Sequence, residues 1–134
     1  MQNNSQENIV LGFAGEALAA KKYEKHGYKI LAKNFSNKKG KRVGEIDFVA
    51  VKDGHIRFVE VKSRIANSPN LALNEVNKPK QLKLLLAIKY FLLIKPKFLE
   101  YIQHIDVAIV LFNKFDKTSA WITIYSDVME DDLG

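Results

Sequence analysis

The chain has 134 residues, 47% of them hydrophobic, enough for one folded domain spanning 1–134 with a real core. It contains no cysteine, which excludes disulfides and cysteine-ligated zinc and fits a reducing cytoplasm. Its formal charge of +6 favours a polyanionic partner.

The opening MQNNSQENIV lacks the basic-then-apolar order of a secretion signal. Residues 7–25 are predicted helical, with Ile9, Phe13, Ala17 and Ala20 as the buried stripe and Gly27 as the stop signal. YKILAKNF, residues 28–35, alternates as a first strand. KNFSNKKGKR, residues 33–42, follows with five basic residues and no acid. Strands near 45–51 and 56–63 flank Asp53-Gly54, a strong hairpin signal.

Residues 65–76 have loop composition, and Asn77 is placed to cap a second helix that tolerates Pro79 in its first turn and stops before Pro96. Leu82, Leu85, Leu86, Leu92 and Leu93 are its expected buried face. The most apolar run, LLLAIKYFLLI at 84–94, is too short to cross a bilayer and carries Lys89, so a cytoplasmic protein outside the membrane is expected. HIDVAIVLF (104–112) and AWITIY (120–125) are the last strands, before an acidic tail at about 127–134. The order α-β-β-β-α-β-β suggests an α/β sandwich around a mixed sheet.

The hairpin carries the chemistry. If Asp53 and Gly54 form a two-residue turn, Lys52 faces His55, and counting outward puts Asp47 opposite Glu60 and Glu45 opposite Lys62. Alternation then sets those four on one face and Ile46, Phe48, Val59 and Val61 on the other, in the core. Opposite charges across a ladder are mildly stabilising, so Glu45 reads as a structural partner of Lys62. Two carboxylates face to face are unfavourable, and they make sense around a hard divalent cation such as Mg²⁺. A lysine beside them supplies positive charge for an attacking water or a phosphate in transition.

Asp47 followed by Glu60-Val61-Lys62 on the adjoining strand resembles the D…(D/E)-x-K signature of restriction-endonuclease-like nucleases. With Gly15-Glu16, Gly27-Tyr28, Ile30 to Asn34, Gly44 to Asp47, Phe58 to Arg64 and His104 to Val107, the chain is similar to the YraN family, which has likeness to archaeal Holliday-junction resolvases. The resemblance implies a restriction-endonuclease-like α/β fold and a structure-selective DNA endonuclease dependent on Mg²⁺ or Mn²⁺. It implies that Asp47, Glu60 and the helical Glu16 hold metal and that Lys62 assists catalysis. DNA, branched or structured, is the implied partner and a homodimer the assembly; from charge and position, Lys38, Lys39, Lys41, Arg42, Arg64 and Lys83 are the candidate phosphate contacts. No proline precedes Asp47, and the loop Lys38 to Arg42 is longer than is usual in the family. A scaffold or nucleic-acid-binding protein that keeps the fold without catalysis is the alternative. His26, His55 and His104 lack ligand spacing, Asp106 reads as a turn or edge residue, and Trp121 as packing.

Overall fold

The computed structural model describes residues 4–36, 44–65, 78–116 and 119–127, with the side chains of 4–9 and 78–81 excepted. Helix α1 spans Asn4–Lys25, strand β1 Lys29–Ser36, β2 Glu45–Lys52 and β3 His55–Ile65. Helix α2 spans Lys78–Ile94, a 3₁₀ turn Pro96–Glu100 follows, and β4 (Ile102–Phe112) and β5 (Ala120–Ser126) complete the order. The element order is the one the sequence implies. The basic loop, the Asn77 cap and the acidic tail beyond Asp127 lie outside the described residues.

The five strands form one open mixed sheet in the order β1-β2-β3-β4-β5. β1, β2 and β3 are antiparallel neighbours, β3 and β4 run parallel, and β4 and β5 antiparallel. Asp53 (φ 48°) and Gly54 (φ 79°) both take the left-handed backbone that a tight type I′ hairpin turn demands. Lys52 therefore pairs with His55, as the Asp-Gly signal predicts. At the other end of α1, Tyr28 N–H donates to the Tyr23 carbonyl and Gly27 sits at φ 91°. That is a glycine-closed helix end.

The two helices cover opposite faces. Ala19, Ala20 and Tyr23 of α1 pack on Phe48, Val59, Val61, Ala108 and Val110. Leu84, Ala87, Ile88, Phe91 and Leu92 of α2 pack on Ile46, Val49, Ile56 and Phe58. Both buried stripes differ from the expected ones. In α1, Phe13 is 62% exposed and Ala17 is exposed, while the side chain of Ile9 is outside the described residues. Small residues let the helix approach the sheet closely, and a Cβ on Gly15 would overlap the Ser63 hydroxyl. In α2, Leu82, Leu86 and Leu93 face outward and Leu93 is 74% exposed. The buried set 84, 87, 88, 91 and 92 keeps the i, i+3, i+4, i+7 template but starts from Leu84. Among the described residues, no helix is long and apolar enough to cross a membrane.

Candidate active site

Three local features bring charged groups together where β2 enters the sheet. The first is Gly44, whose bare Cα lies against the Lys83 carbonyl of α2; a Cβ there would overlap that backbone oxygen. Gly44→Ala is therefore expected to lose about 1–3 kcal/mol of stability through overpacking, read in a denaturant melt. A change within about 0.5 kcal/mol, the range of an ordinary surface substitution, would mean that β2 is not held against α2 here.

The second feature is a rotation of β1 and β2 about their strand axes. Lys33 pairs with Phe48 and Phe35 with Ile46, so Asn34 lies across from Asp47. Asn34 has φ 51°, a left-handed conformation that Asn tolerates better than most residues. Phe48 belongs to the core under α1, yet Ile46, two residues away, belongs to the core under α2. Phe35 has turned the same way, its ring 5.1 Å from that of Phe91. Strict alternation, which would place Ile46 beside Phe48, fails at Asp47.

The third feature is the end of a ladder. β2 and β3 pair from Lys52↔His55 to Phe48↔Val59, one step short of Asp47 and Glu60. Beyond that point the Asp47 side chain replaces backbone pairing, and its Oδ2 accepts the Val61 N–H at 2.7 Å. The expected ladder partnership of Asp47 with Glu60 is thus replaced by direct side-chain contact, and the Asp47 and Glu60 carboxyls are hydrogen-bonded. The expected Glu45–Lys62 ladder pair is also absent from the register. Lys62 Nζ lies 3.7 Å from Glu60 Oε1 instead. Glu60 and Lys62 share the parity of Ile56 and Phe58, so they come from the α2 side of β3.

The site is buried. Asp47 is 8% and Lys62 9% exposed. Burial, then the Glu60 charge, pushes the Asp47 carboxyl up to about 8, while the Val61 N–H pulls in the opposite direction. Glu16 lies on the stripe 16, 19, 20, 23 whose other members face the sheet. Burial and the charges of Asp47 and Glu45 raise it to about 7 against the pull of Lys33. Near neutral pH the Asp47 carboxyl therefore favours its protonated form beside Glu60.

Of the residues expected at the site, Asp47, Glu60 and Lys62 come into contact or near contact, and Glu16 joins them through its field. Among the described residues, no three acidic or histidine side chains are arranged to hold a metal ion as they stand. The adjacent Asp47–Glu60 pair still fits a hard cation in donor type, because carboxyl oxygens are what Mg²⁺ takes and it keeps several waters of its own. Arg64 Nη1 donates to the Ser63 carbonyl at 2.7 Å, and the Arg64 side chain lines a groove of about 580 Å³ with Lys62, Leu11 and Gly12. Lys83 is exposed at the start of α2, above Gly44. Lys38, Lys39, Lys41 and Arg42 lie outside the described residues.

A second polar cluster, at the hairpin end of the sheet, went unread in the sequence. Asp106 is not a turn or edge residue. It is 0% exposed, accepts the Tyr23 hydroxyl at 2.7 Å and pairs with Arg57 Nη1 at 3.1 Å. His55 and His104 are also in contact, Nδ1 to Nε2 at 2.8 Å, and His104 Nδ1 is 3.2 Å from the Asp127 carboxylate. The parallel register that sets Arg57 beside His104 produces both groupings. The i, i+2 repeats His55-Arg57 and His104-Asp106 are the only trace of it in the sequence.

The profile of the uncharacterised protein family UPF0102 matches residues 15–110, a span that includes every residue of the carboxylate–lysine cluster. A UPF0102 protein of Clostridium perfringens is 43% identical over 106 residues, covering 79% of this chain and 83% of its own. One from Clostridium tetani is 38% identical over 110 residues, covering 81% and 85%. One from Caldanaerobacter subterraneus is 36% identical over 103 residues, covering 77% and 80%.

Proposed function

The chain belongs to the UPF0102 family, and we propose that it is a divalent-metal-dependent DNA endonuclease of the restriction-endonuclease-like type, selective for branched or structured DNA. One observation carries the reading. A buried carboxyl, Asp47, touches the half-buried carboxyl of Glu60 at a broken ladder, with the Lys62 ammonium 3.7 Å from Glu60. For stability alone the arrangement is poor, since each carboxyl raises the cost of ionising the other. It is well suited to exchanging the Asp47 proton for a cation.

In this reading Asp47 and Glu60 hold Mg²⁺ or Mn²⁺, and Glu16 adds negative charge from α1. The bound ion supplies an activated water and Lewis-acid stabilisation of phosphoryl charge. Lys62 keeps a positive charge beside Glu60, where a scissile phosphate would otherwise meet only acids. Arg64 and Lys83 flank the site and contact phosphates outside it. Such contacts position a duplex without reading bases, which suits recognition by shape. The protein acts in the cytoplasm, as a homodimer matched to a two-fold branched substrate.

The test is cleavage of linear, flapped, forked and four-way DNA with Mg²⁺ or Mn²⁺. Cleavage of the branched substrates that Lys62→Ala reduces by about 10²-fold or more supports the reading. No cleavage of any substrate, or equal cleavage by the variant, overturns it. If Lys38, Lys39, Lys41 and Arg42 track phosphates, neutralising two of them lowers the slope of log affinity against log salt by about two. An unchanged slope assigns those residues to solvent.

A further inference from the structure

At the hairpin end, some distance from the carboxylates, a pocket of about 330 Å³ opens between the last turn of α1, the β2–β3 turn and β5. Along β2, Lys52 is five residues from Asp47, about 17 Å at the usual rise, and Arg57 is three from Glu60, about 10 Å. We propose that this pocket is a phosphate-binding site, formed by Lys22, Lys52 and Arg57 around the Tyr28 hydroxyl. The proposal does not rest on the nuclease reading.

The charge balance comes first. Three cations, Lys22, Lys52 and Arg57, line the pocket against one acid, Asp106. Both oxygens of that acid are engaged, Oδ1 by Arg57 Nη1 at 3.1 Å and Oδ2 by the Tyr23 hydroxyl at 2.7 Å and Nη1 at 3.2 Å. Neither lysine is paired with a carboxylate among the described residues. Lys22 Nζ donates to the Ile122 carbonyl at 3.2 Å, and Lys52 Nζ to the His26 carbonyl at 2.7 Å. Those carbonyls fix where the ammoniums sit without neutralising them. The glycine-closed end of α1 exposes the His26 carbonyl, and a Cβ on Gly27 would press on the Lys52 stem.

The hydrogen-bond balance points the same way. An ammonium has three protons, so each lysine keeps two after its carbonyl contact. Tyr28 Oη accepts from Arg57 Nε at 2.8 Å, which leaves its own proton free to donate. Ser126 Oγ stands 3.5 Å from Arg57 Nη1 at the pocket wall. The Arg57 guanidinium also lies over the Tyr28 ring, 5.7 Å from its centroid, which holds the fork in one orientation. Donors thus converge from three separate elements on a space with surplus positive charge. The matching ligand accepts from several directions and donates nothing, which is the character of a phosphate dianion. The volume lies at the lower end of small-ligand pockets, leaving room beside Ile124 for a small organic group on that phosphate.

A phosphate monoester can come from a free small molecule or from the terminus of a nucleic-acid strand. The experiment is titration of the full chain at constant ionic strength, followed by backbone NMR, with inorganic phosphate, a 5′-phosphorylated dinucleotide and its unphosphorylated counterpart. Saturable shifts at Tyr28, Lys52 and Arg57 are expected with phosphate-bearing probes. At least a tenfold weakening is expected in Lys22→Gln/Lys52→Gln and a smaller one in Lys52→Gln alone. Asp47→Asn should bind as wild type, which separates this site from the failure or success of the nuclease reading. A phosphorylated dinucleotide bound tenfold more tightly than inorganic phosphate assigns the site to a strand terminus, and equal affinity assigns it to a free phosphate. Shifts that do not saturate, that match the unphosphorylated probe, or that survive both lysine substitutions overturn the proposal.

Discussion

Asp47→Asn is expected to abolish cleavage and yet stabilise the metal-free protein, by a margin that widens as pH rises. An asparagine keeps the shape, can accept the Val61 N–H through its oxygen and can donate to Glu60 through its amide. It therefore mimics the protonated aspartic acid that the buried pair already favours. In the folded wild type the Asp47 carboxyl titrates at about 8, above the usual carboxylate range that it has when unfolded. A raised acid binds its proton more tightly when folded, so its contribution to stability is complete below about pH 4. That contribution is lost as pH climbs from there to about 8. The variant lacks this loss. Its advantage should be near zero at the acid end and exceed about 1 kcal/mol by pH 8, since each unit of difference between folded and unfolded carboxyl is worth about 1.4 kcal/mol. Saturating Mg²⁺ should shrink or reverse that advantage, since a ligand at a hundred times its Kd adds about 2.7 kcal/mol to the form that binds it. Cleavage should fall by at least about 10²-fold, the effect of removing one strong electrostatic contact from a transition state. Denaturant melts of both proteins from pH 4 to 9, in chelator and then in Mg²⁺, read all of it. A difference that is flat with pH, or a variant less stable than wild type at pH 8, would mean that Asp47 serves the fold as a carboxylate.

How much of this could be read from the sequence depends on the range of the interaction. The Asp53-Gly54 turn fixes register over five residue pairs, and the predicted Lys52↔His55 pairing is the one found. That local constraint is why Asp47 and Glu60 could be brought together by counting. It could not show where the ladder stops, and the stop falls across from a left-handed Asn34 in a different strand. For the same reason the expected common face of Ile46 and Phe48 was wrong. Helix faces were misread for another reason. α2 is apolar nearly all round, so leucines at 82, 85 and 86 fit a buried stripe as well as Leu84, Ala87 and Phe91 do, and only the sheet chooses between them. In α1 the deciding residues are small, and hydrophobicity gives Gly15 and Ala19 little weight beside Phe13. The contact between Arg57 and Asp106 spans 49 residues and a parallel crossover, beyond any local pattern.

That unforeseen pair carries the other large effect. Asp106 is fully buried on the interior strand β4, between the Arg57 guanidinium and the Tyr23 hydroxyl. The desolvated carboxylate and the Tyr28 hydroxyl both hold Arg57 in its charged form, and burial beside Asp106 raises the Tyr23 hydroxyl far above its ordinary range. Asp106→Ala would strand a guanidinium that is only 19% exposed and leave Tyr23 without an acceptor. Removing one partner of a buried ion pair typically costs 3–5 kcal/mol, a large share of the roughly 5–15 kcal/mol that holds a domain together. Tyr23→Phe should cost less, about 1.5–3 kcal/mol, because it deletes one hydrogen bond to a charged acceptor and strands no charge. The double replacement Arg57→Met with Asp106→Leu should recover part of the loss, since it removes the stranded charge but still leaves the Tyr23 hydroxyl without its acceptor. Chemical denaturation of the four proteins at pH 7 gives the ranking, wild type first, Tyr23→Phe and the double variant between, and Asp106→Ala last. If Asp106→Ala falls by less than about 1 kcal/mol, the size of an exposed ion pair, water reaches the pair and the cluster is a surface feature. If the double variant is no better than Asp106→Ala, the two residues act separately, and the ion pair is not what makes Asp106 costly to lose.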